Sequence, residues 1–319
     1  MNINFLVNPV VNGWEPTDTR LGGTEESAVR WAEELAKRGH SVMVYHNART
    51  EDWDDFTYTS NGTTSRGDGT YNGVWYTPRE AYMGGSDSVC INVKSPEMKP
   101  KDGEKMFYLT NETDANRLDL STYEAVIWPS KWAEDNIPVN NKTVILPHGY
   151  DSDKIKLGKK IPKQVLYASS PDRGLDLLLA CWPSVYEAHP DANLIVTYGA
   201  PAQDIAGVTF LGEVDEDMMN ELYATSDVWA HPCSGGELYG ITAIKAQASG
   251  CVPVYIPTMA LAETVKHGVV CDEFNFRDRL IRTLGNETLK DNIRKQLSKE
   301  DFVDWKKSTD ILENIIGAK

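Results

Sequence analysis

Between Asp227 and Ile256 the chain runs apolar strand, irregular turn, small-residue helix, apolar strand, the order of a crossover between parallel strands. Asp227-Val228-Trp229-Ala230 and Cys251 to Ile256 are short continuous apolar runs, the kind that fill buried strands of a parallel sheet. Pro232 and the pair Gly235-Gly236 keep the start of the connection irregular. Ile241, Ile244 and Ala248 then recur at helical spacing until Gly250 supplies a stop. The unpaired backbone N–H groups of that helix start, near Tyr239-Gly240-Ile241, face whatever lies beyond the strand ends, and the positive end of the helix dipole adds to them. An anion fits there. Glu237 stands at the mouth of the same turn, where a carboxylate accepts hydrogen bonds from hydroxyls but repels a bare phosphate. Anion donors beside a hydroxyl acceptor suit a sugar linked to phosphate.

The N-terminal half opens on a similar order. Ile3 to Val7 is an apolar strand, and the polar loop Asn8 to Leu21, which carries Trp14, ends in Gly22-Gly23-Thr24-Glu25-Glu26. Ala28, Trp31, Ala32 and Leu35 mark one helical face up to Gly39, and Ser41 to His46 is the next strand. Such a βαβ opening begins an open parallel α/β domain. Two glycines at a helix start let backbone approach a phosphate closely, and they also make a plain turn. Residues 49–79 are polar and irregular, with short strands expected near Phe56–Tyr58 and Val74–Tyr76. Firmer strands are Ser88 to Val93, Lys105 to Leu109, Ala125 to Trp128 and Lys142 to Leu146, with a helix beginning near Pro129-Ser130-Lys131-Trp132. Lys154 to Pro162 is basic and broken by Gly158 and Pro162, and it reads as a linker. The expected division is therefore residues 1–157 and 158–300, with a last helix in 301–319.

The second half starts with a strand, Gln164 to Ala168, the small-residue turn Ser169-Ser170-Pro171-Asp172-Arg173-Gly174, and a helix with Leu175, Leu178, Leu179 and Trp182 on its core side. A guanidinium in such a crevice clamps a diphosphate bidentately; an Arg at a helix start paired with Asp172 or Asp176 is the alternative. Strands at Asn193 to Tyr198 and Val208 to Val214 follow, then a helix from Asp215, a suitable N-cap, to Ala224. After Ile256 come helices at 259–268, 275–284 and 287–297, and an amphipathic stretch from Phe302 to Ile316 with Trp305, Ile311, Leu312 and Ile315 on its apolar side.

At 319 residues the chain can bury two cores of ordinary size. A net charge of −15 argues against a broad electrostatic grip on nucleic acid or an anionic membrane surface. There is no apolar run long enough to cross a bilayer, and the first residues read as a strand without a basic leader, so a cytoplasmic setting is expected. Cys90, Cys181, Cys233, Cys251 and Cys271 form no C-x-x-C pair and read as reduced thiols.

The run His231-Pro232-x-x-x-Gly236-Glu237-x-x-Gly240, its helix, and Ala248-Ser249-Gly250-Cys251-Val252-Pro253-Val254 resemble the donor-site signature of retaining GT-B glycosyltransferases of family 4, the sucrose-synthase and mannosyltransferase type. Gly22-Gly23-x-Glu25 with its helix and Lys37-Arg38-Gly39-His40, Pro147-His148-Gly149-Tyr150-Asp151, Arg173-Gly174 and Trp305 are similar to further pieces of that family, in the same order. The resemblance implies two facing Rossmann-like α/β domains with a cleft between them and a C-terminal helix crossing back onto the first. It implies a donor that is a nucleotide-diphosphate sugar, UDP- or GDP-linked, a hydroxyl acceptor, retention of anomeric configuration, and no metal or other cofactor. Arg173 and the helix start at Leu238, Tyr239 and Gly240 would then take the diphosphate, Glu237 the donor sugar, Gly212 and Val214 the nucleobase by their backbone, and Gly22, Gly23 and Gly149 line the cleft. Trp14 would be a stacking surface for an acceptor sugar or a loop anchor, His148 a packing histidine or a base, and Glu112 a contact to acceptor or donor hydroxyls. Where the family has a second Glu for the ribose hydroxyls this chain has Lys245, a donor that accepts no hydrogen bond. That departure keeps open a nucleotide-sugar or glycan binding protein without turnover on the same fold; glycosylation of modified DNA bases is a third reading, which the acidic charge opposes.

Overall fold

The computed structural model describes residues 1–8, 13–19, 21–47, 69–155, 157–199 and 201–318. The expected strand near Phe56–Tyr58 lies outside them. The chain forms two compact units, Met1–Gly149 with Val303–Lys319, and Tyr150–Phe302.

The first unit contains β1 (Asn2–Val7), α1 (Gly23–Lys37), β2 (Ser41–His46), β3 (Gly69–Tyr71), β4 (Val74–Pro78), β5 (Ser88–Val93), β6 (Lys105–Leu109), β7 (Val126–Trp128), α2 (Lys131–Asn136) and β8 (Thr143–Ile145). Its sheet runs β3-β4-β2-β1-β5-β6-β7-β8 and is parallel except for the β3–β4 hairpin. Phe5 sits at the centre, in register with Val44 on one side and Ile91 on the other. Buried alternate residues of β1, with Ala28, Trp31, Ala32 and Leu35 of α1, build the core under the sheet.

The second unit contains β9 (Ile161–Tyr167), α3 (Leu175–Ala188), β10 (Asn193–Thr197), β11 (Val208–Gly212), α4 (Glu216–Thr225), β12 (Ser226–His231), α5 (Ile241–Ala248), β13 (Val252–Tyr255), α6 (Leu261–Thr264), β14 (Val269–Val270), α7 (Phe276–Leu284) and α8 (Glu287–Leu297). Every strand pairing is parallel, in the order β11-β10-β9-β12-β13-β14. β10 and β11 therefore lie on one side of β9, and β12, β13 and β14 on the other. Asp215 caps α4 by accepting from the Met218 N–H at 2.8 Å. On β12 the buried Asp227 carboxylate binds Lys290 and Arg294 of α8, and the Lys163 N–H at 2.8 Å, which fixes α8 across the strands.

α9 (Trp305–Ile316) belongs to the first unit. Asp304 caps it through the Lys307 N–H at 2.8 Å, and Gly317 ends it in the left-handed region. Trp31 donates to Ser308 Oγ at 2.8 Å and meets Trp305 edge-on, with 5.8 Å between ring centroids. Arg38 adds bonds to Asp310 at 2.9 Å and Glu313 at 2.6 Å.

The structure departs from the sequence reading at several boundaries. The division falls after Gly149 rather than at 157, because Lys160 caps the Tyr223 and Ser249 carbonyls at 3.0 and 2.6 Å and so ties the basic segment to the second unit. Ile161 and Pro162 open β9 instead of closing a linker. The helix expected at 259–268 shortens to α6, since Gln247 of α5 takes the next backbone groups, accepting from the Lys266 N–H at 2.7 Å and donating to Thr264 O at 3.0 Å. β14 follows where no strand was expected. All five cysteines are free thiols, four of them buried.

Candidate active site

In an open parallel sheet the connections from two neighbouring strands part company where the strand order reverses, leaving a crevice beyond their C-terminal ends. In the second unit that point lies between β9 and β12. β9 empties into residues 168–174 and β12 into residues 232–240, the two loops that carry Arg173 and Glu237.

Glycine decides how closely those loops approach. At Gly174, φ is +91° and a β-carbon would collide with the Pro232 carbonyl. At Gly236, φ is +80° and a β-carbon would stand on Nη1 of Arg173. The guanidinium thus lies against Gly236, with Nη1 donating to Gly235 O at 2.9 Å. Asp172, its expected structural partner, stands 3.8 Å away, at the edge of ion-pair range. One N–H of five holds the loop.

The 232–240 loop is pinned from three sides. Thr258 Oγ1 donates to Cys233 O at 2.9 Å, the Cys233 thiol to Gly235 O at 3.0 Å, and the Ala260 N–H to Glu237 O at 3.2 Å. The Glu237 side chain is 19% exposed. Burial raises its carboxyl above the ordinary range, while Arg173 and the N–H groups of Tyr239 and Gly240, which hydrogen-bond to it, pull the other way. The amides expected to face a ligand anion therefore hold the protein's own carboxylate. α5 starts from Gly240, in the left-handed region at φ +83°, with no side-chain cap on its N-terminus.

Leu238 and Tyr239 are buried, and Tyr239 joins the core of the unit. Lys245 lies a turn into α5 and is half-buried. Gly212 ends β11 at φ +68° with open space where a β-carbon would be, while Val214 packs against the core with Leu166 and Trp229. Gly212 thus closes the edge strand, two strands from β9, and Val214 lies in the loop that follows.

Sequence reasoning gave no role to His231, the last residue of β12. It is completely buried, stacked on Trp229 at 4.7 Å and 14°, with Tyr167 6.3 Å away on a nearly parallel plane. Its Nε2 is 3.9 Å from Glu237 Oε2, and neither ring nitrogen has a hydrogen-bond partner. Burial, with Arg173 adding to it, pushes its pKa down to about 3, so the ring is neutral. The His-Pro pair at a strand end was the available signal.

The first unit holds the remaining expected residues. Gly22 caps α1 and Gly23 is its first residue; the Glu25 carboxylate sits where a β-carbon on Gly22 would go, so an acidic side chain covers this helix start. Gly149 serves packing: a β-carbon there would be 2.5 Å from the backbone nitrogen of Trp305. Trp14 is a buried loop anchor, 4.7 Å from His46, not an exposed stacking surface. His148 is buried against α1, its Nδ1 2.8 Å from Ser27 Oγ and its ring 5.4 Å from Trp31, with a pKa pushed down to about 4 by burial. Glu112 is half exposed and paired with Lys94.

Residues 162–295, most of the second unit, match the family model "Glycosyl transferases group 1". This segment is a glycosyl transferases group 1 domain. The group 1 domain carries both loops described above. A curated relative, the GDP-mannose-dependent monoacylated alpha-(1-6)-phosphatidylinositol monomannoside mannosyltransferase of Corynebacterium glutamicum, is 34% identical over 149 residues, 40% of this chain and 39% of that protein. The chain spans 39% or less of the length of the first curated relatives it matches. Sucrose-phosphate synthase from Thermosynechococcus elongatus superposes with a TM-score of 0.69 over 100% of both chains at 16% identity, and Anabaena Alr3699/HepE, solved with UDP and glucose, with 0.66 over 100% of both at 14%. The fold is that of GT-B glycosyltransferases, two parallel-sheet α/β domains.

Proposed function

We propose that the protein is a retaining glycosyltransferase that moves a sugar from a nucleotide-diphosphate sugar to a hydroxyl acceptor. The observation that carries this reading is the convergence of Arg173 and Glu237 at the strand-order reversal of a group 1 domain, with Gly236 shaped to hold the guanidinium against the Glu237 loop. In this reading Arg173 stabilises the departing diphosphate, a preorganised charge worth several kcal/mol in a water-poor site. Glu237 accepts hydrogen bonds from the donor sugar. The α5 start, whose N-cap is the glycine Gly240, supplies backbone N–H groups to phosphate oxygens. A relative named for GDP-mannose and a fold neighbour solved with UDP and glucose support a UDP- or GDP-linked donor.

The test is hydrolysis of, and transfer from, a panel of UDP- and GDP-sugars. Arg173→Ala and Glu237→Ala should each lower kcat/KM by about 10²-fold or more, whereas Phe274→Ala, at a surface position 95% exposed, should leave it unchanged. Full activity in both site variants would refute the assignment. Tight binding of nucleoside diphosphates with no turnover of any donor would favour the non-catalytic reading that Lys245 raises.

A further inference from the structure

The chemistry of one residue in the group 1 domain is unused. Both nitrogens of the buried, neutral His231 ring lack a hydrogen-bond partner, which carries a desolvation cost, and such atoms in a folded protein call for an explanation. The ring is held by stacking, with Trp229 4.7 Å away at 14° and Tyr167 6.3 Å away at 28°. The side chain of its neighbour is held by hydrogen bonds, which can be exchanged. Glu237 sits between two residues of left-handed backbone, Gly236 and Gly240, and its carboxylate is engaged by the Tyr239 and Gly240 N–H groups at the start of α5. Those amides are the ones a phosphate at this helix start would use, and one set of donors cannot serve two anions.

We propose that His231 is a positioning residue that receives Glu237: when a phosphate anion takes the Tyr239 and Gly240 amides, the Glu237 carboxylate moves about 1 Å to hydrogen-bond the Nε2–H of His231, the normal N–H···O length being about 2.9 Å against the present 3.9 Å. This inference rests on the donor-site reading above. The exchange satisfies a stranded imidazole nitrogen, frees the helix start for the diphosphate and leaves the second carboxylate oxygen toward the crevice for sugar hydroxyls. The carboxylate 3.9 Å away favours the tautomer with the proton on Nε2.

The test measures UDP and GDP binding by calorimetry, with thermal unfolding alongside. His231→Phe keeps a flat ring in the stack and removes both nitrogens, so the fold should be as stable as the native protein or more so, while nucleoside diphosphate affinity falls about tenfold, the scale of a lost coupled contact. His231→Gln, whose amide N–H lies near the position of Nε2–H, should restore part of the loss. Glu237→Ala, which vacates the amides, should bind UDP or GDP at least as tightly as the native chain, and adding His231→Phe to it should change nothing further. Unaltered affinity in His231→Phe overturns the inference, as does an equal loss in the Glu237→Ala background or weaker binding by Glu237→Ala itself. A native protein that binds neither nucleotide overturns the donor-site reading and this inference with it. Binding by the native protein that is indifferent to His231 overturns the inference alone.

Discussion

The site depends on side chains that are missing. Gly236→Ala adds a single methyl, but at φ +80° and on top of the Arg173 guanidinium. The backbone cost is on the order of 1 kcal/mol, so the protein should still fold, and the displaced arginine should bring turnover down to the level of Arg173→Ala. Combining the two should lower kcat/KM no further, because both remove the same interaction; additive losses would show that Gly236 acts in some other way. The placement of Arg173 and Glu237 in loops beyond strand ends was legible in the sequence because an apolar run that empties into a small-residue turn before a helix leaves the turn's charged residues outside the sheet. Trp14, Gly149 and His231 were not, since burial depends on contacts from distant residues: Trp14 is covered by His46, Gly149 by Trp305, His231 by Trp229. Local pattern carries no trace of those partners.

At the level of elements, the helices α1 and α3 and most strands read correctly, while α6, β3 and β14 did not. α1, α3 and β2 follow from apolar spacing alone, whereas α6 ends early because Gln247, remote in sequence, satisfies its last backbone groups. The β3–β4 hairpin was missed although its turn, Asn72-Gly73 with φ of +51° and +83°, is a strong two-residue hairpin signal. Its flanking strand β3 is only three residues long and gives no period to detect. α9 offers a prediction of its own. A β-carbon on Gly149 would sit 2.5 Å from Trp305 N and 2.6 Å from its Cα, both backbone atoms that cannot turn aside. Gly149→Ala should therefore destabilise the first unit by about 1–3 kcal/mol. Hydrogen exchange should accelerate in α1 and α9 while β9, β12 and β13 keep their protection; unchanged exchange in α1 would contradict the packing role.

For the molecule as a whole, the two-sheet α/β architecture was legible because each strand-turn-helix unit repeats the same signals, and charge balance restricted its partners. Acid sensitivity follows from burial. His46 and His148 in the first unit are held to about 4 by desolvation, and His231 in the second to about 3. Each has a lower pKa folded than its ordinary value of about 6.5, so below that pH the unfolded chain binds protons that the native state refuses. Stability from these residues is thus complete above pH 6.5 and is lost as pH falls toward 4, at about 1.4 kcal/mol per pH unit per histidine. Glu237, raised by burial, works in the opposite sense but is one group against three. Urea unfolding at pH 7, 6 and 5 should show midpoints falling steeply, with the first unit, which holds two of the histidines, losing more; a flat profile would mean these rings are solvated.

The return of α9 bears on the order in which this polypeptide becomes a structure. The group 1 unit is one continuous segment, whereas the other core needs Trp305, Leu312 and Ile316 beside residues near the amino end. During synthesis the later-made unit can finish while the earlier one waits, its sheet lacking part of its cover until the ribosome has delivered α9. Multidomain chains generally fold from the N-terminus onward; here the core begun first needs a segment synthesised after the whole of the second unit.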